Sequence, residues 1–176
     1  IRRRQVSDEV LPDVLTAGLR VVFCGTQAGA ASARRGAYYA GPGNKFWKTL
    51  FETGLIPQPL GPADFPDLPR YGIGFTDVAK GTSGPDTALM RQHFDIAGFL
   101  AKLRLHAPAI VGFNGKRAAQ AARGERRGLK RGYGRQPSLL VGSRVFRRPS
   151  TSGAASGFWS IEPWHELAAL VKEPDS

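Results

Sequence analysis

Cysteine is almost absent: Cys24 is the only one among 176 residues. No disulfide can close within the chain, and a four-cysteine zinc or iron–sulfur site within it is excluded. A reducing, cytoplasmic setting is expected. No apolar run approaches the roughly 20 residues needed to span a bilayer, so no membrane association is expected. Residues 1–6 are basic and lack the apolar stretch of a signal peptide; residues 1–10 read as a loosely ordered basic arm. The three histidines, His93, His106 and His165, share no metal-ligand spacing, and neither a metal nor a cofactor is expected. Acidic residues are also scarce, 14 against 25 Lys and Arg, a formal net charge of +11. That surplus points to a polyanion partner, a nucleic acid or an anionic surface. Gly25 to Ala33 and Gly112 to Lys116 both lack the Gly-Lys-Ser/Thr ending of a phosphate-gripping loop.

What is present has the length and apolar content of one compact domain over residues 1–176. Leu19 to Cys24 reads as a buried strand running into a loop of small residues. Asn44 is placed to cap a helix whose face carries Phe46, Trp47, Leu50 and Phe51, with Gly54 as its stop. Pro57 to Pro69 holds five prolines and reads as a surface connection. Tyr71 to Val78 is extended. Ile96, Phe99, Leu100 and Leu103 keep helical spacing. Pro108 to Phe113 is a second strand, with a basic helix or loop after it. Ser138 to Val141 and Arg144 to Phe146 pair as a hairpin across Gly142-Ser143, and Pro163 opens a last helix packed through Trp164, Leu167, Ala168 and Val171. Strands alternating with helices predict an α/β fold, three layers α/β/α around a mainly parallel sheet. Ligands in such sheets bind at the carboxyl ends of the strands, which directs attention to the loops after Cys24 and Phe146.

The first of those loops is Gly25-Thr-Gln-Ala-Gly-Ala-Ala-Ser-Ala33, where small residues let a ligand approach the backbone. By itself it is equally a plain strand-to-helix turn. The next stretch, Gly36-Ala-Tyr-Tyr-Ala-Gly-Pro-Gly-Asn-Lys-Phe-Trp47, is more specific. Together the two resemble the mismatch-specific uracil/thymine DNA glycosylases, whose pattern is Gly-Ile-Asn-Pro-Gly, a small-residue run, an aromatic and Pro-Gly-Asn-x-Phe-Trp-Lys. Gly72-Ile-Gly-Phe-Thr-Asp77, Phe113-Asn-Gly-Lys116 and Pro149-Ser-Thr-Ser-Gly153 resemble three further family segments, so the likeness runs from about Leu19 to Leu170.

The resemblance implies a uracil-DNA glycosylase-like fold and a monomeric base-excision enzyme, nucleoid-associated, acting on double- or single-stranded DNA that holds a deaminated base. It implies that Tyr39 stacks on the extruded base, with Gly25, Thr26 and Asn44 forming the base pocket, although capping alone is the preferred reading of Asn44. Gly29, Ser32, Lys116, Arg147, Ser150, Ser152, Gly153 and Ala154 fall where the family meets DNA. Family members push a bulky side chain into the gap left by the flipped base. Here Gly153 and Ala154 stand there, and either Arg147 or Arg148 compensates or mispaired and single-stranded sites, which open at lower cost, are favoured. The basic segment Gly115 to Arg135 reads as a phosphate-gripping surface or as a solvated face.

One departure concerns chemistry. The family's water-positioning Asn is replaced by Gln27, whose amide lies one methylene further out, and the Pro after it by Ala28. Asp77 offers a carboxylate instead, suited to orient water and to stabilise an oxocarbenium-like state. The reading is that Asp77 is the main catalytic group and Gln27 assists; the alternative is that Asp77 caps the following turn or pairs with a Lys or Arg. No lysine is placed to form a Schiff base. Two other functions stay open: a damage- or abasic-site-binding protein on a glycosylase scaffold, and a domain binding free nucleotides. The preferred base is left open, uracil opposite guanine coming first.

Overall fold

The computed structural model describes residues 10–81, 83, 94–123, 132–153, 157 and 159–173. Five strands form one sheet in the order β2-β1-β3-β5-β4. β1 (Val21–Gly25), β2 (Ile73–Asp77), β3 (Ile110–Asn114) and β5 (Arg144–Arg148) run parallel, and the short β4 (Gly134–Arg135) pairs antiparallel with β5. β1, inside the sheet, and β2, at its edge, are both buried along their whole length, as strands covered on both faces must be.

Side chains alternate between two cores. Val21, Phe23, Ile73, Phe75, Ile110 and Phe146 point to one face, with Phe46, Trp47 and Leu50 of α2 (Phe46–Glu52) and Trp164, Leu167 and Val171 of α5 (Glu162–Lys172). Cys24, Val111, Phe113 and Val145 point to the other, against α3 (Ile96–His106) and α4 (Lys116–Arg123). A short α1 (Ala30–Arg35) follows β1. The expected three-layer α/β/α arrangement is therefore found. None of the described helices is long and apolar enough to cross a membrane.

Three local expectations are corrected. The helix predicted from Asn44 begins at Phe46, and Phe51 is exposed rather than on the buried face. The proline-rich connection contains a 3-10 helix, Pro62–Tyr71, that buries Phe65 and Leu68; Asp64 accepts the Gly61 N–H at 2.9 Å and secures its start. The predicted hairpin shrinks to a turn. Leu140 and Ser143 exchange hydrogen bonds of 2.9 and 3.0 Å around Val141 and Gly142, both at positive φ, which is primed-turn geometry. The antiparallel partner of β5 is β4 instead, because β5 already pairs with β3 on its other side.

The chain before β1 is tied to the sheet. Val10 donates to the Lys80 carbonyl at 2.9 Å, and Val14 exchanges hydrogen bonds of 2.9 and 3.0 Å with Phe75. Val10, the last residue of the expected arm, is thus tied to the fold; residues 1–9 lie outside the described residues. Between these ties Asp13 gathers Thr76 Oγ1 at 2.7 Å, Lys80 at 3.1 Å and Lys102 at 2.5 Å. Burial alone would raise the Asp13 pKa, but Lys80, Lys102 and Thr76 outweigh it and hold the carboxyl below its ordinary range.

Candidate active site at the carboxyl edge of the sheet

Connections leave β1 and β3 in opposite directions, towards β2 and β5, and so on opposite faces of the sheet. The carboxyl ends of β1 and β3 therefore border the crevice where doubly wound sheets bind ligands. Strand register builds the floor of that crevice. Gly25 pairs with Asp77 and Asn114 with Arg148, and Cys24 pairs with Phe113, so the next step sets Gly25 beside Asn114. Register partners in a parallel sheet share a face. The row Asp77, Gly25, Asn114, Arg148 thus crosses the sheet edge on the α2 and α5 side.

Gly25 is required for the arrangement. A Cβ there would lie 2.7 Å from Asp77 Oδ1 and 3.8 Å from the Tyr39 hydroxyl oxygen. The buried Asp77 carboxylate therefore lies across Gly25, with the Tyr39 hydroxyl close by. Thr26 is buried, and its carbonyl accepts the Ala79 N–H at 2.7 Å, which extends the pairing of β1 with β2 past Asp77. Gln27 is half-buried, with its amide oxygen inside, directly beyond this tie.

Tyr39 comes over the row from a loop that its neighbours hold closed. The Ser32 hydroxyl accepts the Ala40 N–H at 3.0 Å, and Trp47 Nε1 donates to the Tyr38 carbonyl at 3.1 Å. Tyr39 itself has φ 52°, a left-handed conformation that a tyrosine adopts only when its surroundings impose it. Its ring stacks on Phe46, centroids 4.0 Å apart and planes at 21°. Its hydroxyl is buried without a well-formed hydrogen bond, with the Asn114 amide and the Arg148 guanidinium beside it. Burial raises the Tyr39 pKa well above its ordinary value; Arg148 opposes that shift and Asp77 adds to it. Asn114 Nδ2 donates to the buried Thr151 hydroxyl at 3.1 Å, while Asn114 Oδ1 is buried without a hydrogen-bond partner.

The structure thus brings together Gly25, Thr26, Gln27, Tyr39 and Asp77 from the sequence reading and adds Asn114 and Arg148. Gly112 was the available signal for Arg148, because a glycine inside a strand marks a close approach. Two assignments, Ser32 and Arg147, are corrected. Ser32 spends its buried hydroxyl on Ala40 and closes the Tyr39 loop, so it does not meet a DNA backbone. Asn44 accepts the Phe46 N–H at 3.0 Å at the start of α2, the capping role that the sequence reading preferred for it. Arg147 is fully buried on the α3 and α4 side of β5, and Arg148 is fully buried on the other, so neither supplies a DNA contact or a wedge.

The second loop packs against the first. Lys45 N–H donates to the Thr151 carbonyl at 2.9 Å, Gly115 N–H to the Arg148 carbonyl at 2.9 Å, and a Cβ on Gly153 would meet the Pro42 carbonyl at 3.3 Å. The half-buried Ser150 accepts the Ser152 N–H at 3.3 Å, while Gly153 and Gly29 are exposed at the rim. Lys116 opens α4. Ala154, His93 and the core of the basic segment, 124–131, lie outside the described residues.

The family model of the uracil DNA glycosylase superfamily matches residues 12–170. The chain therefore belongs to the uracil DNA glycosylase superfamily. Its fold is similar to the solution structure of a candidate uracil DNA glycosylase from Methanosarcina acetivorans, with a TM-score of 0.62 at 22% identity, over 92% of this chain and 94% of that one.

Proposed function

We propose that this protein is a monofunctional DNA glycosylase of the mismatch-specific branch that flips uracil out of DNA and hydrolyses its N-glycosidic bond. The observation that carries the reading is the Asp77 carboxylate lying across Gly25 beneath Tyr39. Extraction of a base is favoured by stacking on an aromatic ring, about 1–3 kcal/mol per base, and Tyr39 offers that ring above the row. Bond cleavage leaves positive charge on the sugar, and an anion fixed in a largely water-free crevice stabilises that charge without reorganising. Asp77 supplies the anion and orients the attacking water, and Gln27 assists at the crevice mouth.

The partner is DNA, drawn by the +11 charge and gripped through the exposed rim at Gly29 and Gly153, the Ser150-Thr151-Ser152 turn and Lys116. A monomer in the cytoplasm, associated with the nucleoid, suits this activity. Because Arg147 and Arg148 are buried, no long side chain among them enters the duplex. Opening a well-paired site is then costly, and mispaired or single-stranded uracil is preferred. The same observation favours the second reading, a scaffold that binds damaged or abasic DNA and excises weakly. Single-turnover excision from oligonucleotides with uracil opposite guanine, opposite adenine or unpaired separates the two. Release fastest from the guanine mispair or the single strand supports the enzyme. No release from any of the three, with tight binding to abasic DNA, supports the binder.

A further inference from the structure

Arg148 is a buried cation that the reaction as described leaves unused. It ends β5 with no exposed surface, and its guanidinium lies over Gly112, where a Cβ would sit 3.3 Å from Nε. Phe23 and Trp164 flank it, their ring centres 4.3 and 4.2 Å from the guanidinium carbon. Nη2 donates to the Gly112 carbonyl at 2.7 Å, whereas Nε and Nη1 are buried and make no well-formed hydrogen bond. Among the described residues no carboxylate forms an ion pair with it. An apolar side chain of the same length would fill this slot without the cost of desolvating a charge. The two aromatic faces offset part of that cost but do not cancel the charge. Burial brings the pKa down to about 9, which leaves the group protonated at neutral pH.

The Tyr39 hydroxyl lies beside the guanidinium, on the side of the crevice. We infer that Arg148 is a positioning residue for the leaving base, its buried charge acting through the Tyr39 hydroxyl to favour departure of the base as an anion. The inference rests on the glycosylase reading. In that reaction the bond from C1′ to the base nitrogen breaks and its electron pair leaves with the base. The water oxygen bonds to C1′, and its proton passes by way of Asp77 to solvent. Negative charge therefore grows on the base while it is stacked on Tyr39, and a cation beside the Tyr39 hydroxyl lowers the energy of the charged state.

A role in packing alone and a role in charge differ in how they respond to the leaving group. Arg148→Met fills the slot and removes the charge. The expected result is a folded protein with its thermal midpoint unchanged or raised. Single-turnover excision of uracil falls about tenfold, less than the ~100-fold typical of losing a donor that touches the reacting oxygen. Excision of 5-fluorouracil, which carries negative charge more readily, falls less than threefold, and Arg148→Lys recovers part of the uracil rate. Equal losses on the two bases, or no loss, overturn the inference. Should Arg148→Met not fold, Tyr39→Phe is measured on the same pair of bases: a larger loss on uracil than on 5-fluorouracil is expected, and equal losses overturn the proposal. Failure of the wild-type protein to excise either base would instead overturn the glycosylase reading.

Discussion

Replacing Gly25 by alanine tests the site through one methyl group. The new Cβ would stand 2.7 Å from Asp77 Oδ1, and the shortest ordinary contact is 3.4 Å, so the carboxylate must retreat by about 0.7 Å. Gly25 does not use a positive φ, so alanine imposes no backbone strain of its own. Fewer unfolded conformations even favour the variant by about 0.5 kcal/mol. The expected outcome is a thermal midpoint within a few degrees of wild type. Misplacing a catalytic group by about 1 Å costs on the order of 100-fold, so the retreat predicts a 10- to 100-fold loss in single-turnover excision. The assay is release of uracil from a labelled oligonucleotide with enzyme in excess, beside a thermal melt. If Asp77 merely braced the turn after β2, stability would fall and the rate on folded protein would not. A folded Gly25→Ala protein within twofold of the wild-type rate refutes the reasoning.

Two further outcomes follow from charge. The Asp13 carboxyl is held below its ordinary range in the folded protein, so its contribution to stability is present above about pH 4 and is lost as pH falls through the lower folded value. Asp13→Asn should lower the thermal midpoint by about 2–4 °C at pH 7, and the gap should close below pH 4; a gap constant from pH 7 to 2 contradicts the network. The surplus of bases predicts that DNA affinity falls steeply with salt, with a log–log slope of about −3 or steeper, and an affinity unmoved by salt would refute electrostatic grip.

The parts of the fold written in local patterns were legible in the sequence. Val21 to Cys24 and Ile110 to Phe113 are apolar runs that only a doubly covered parallel sheet accommodates, and the spacing of Trp164, Leu167 and Val171 gave the buried face of α5. The resemblance brought out Asp77 and Tyr39. What could not be read was register. Asn114 and Arg148 join the row only because β3 and β5 pair in a particular phase, which no local pattern states. Ser32 and Arg147 misled for the opposite reason. Each has a side chain able to touch DNA, and each spends it or buries it inside the fold, as only the folded contacts reveal. The proline-rich connection failed through turn chemistry: Asp64 and the prolines wind a 3-10 helix where composition suggested an open loop.

The most direct test is Asp77→Asn, which keeps shape and removes the charge, in single-turnover excision of uracil opposite guanine. A folded variant whose rate drops at least 100-fold, while its affinity for abasic DNA is kept, is the predicted result. A rate equal to wild type would mean that the carboxylate across Gly25 serves the fold and not the reaction.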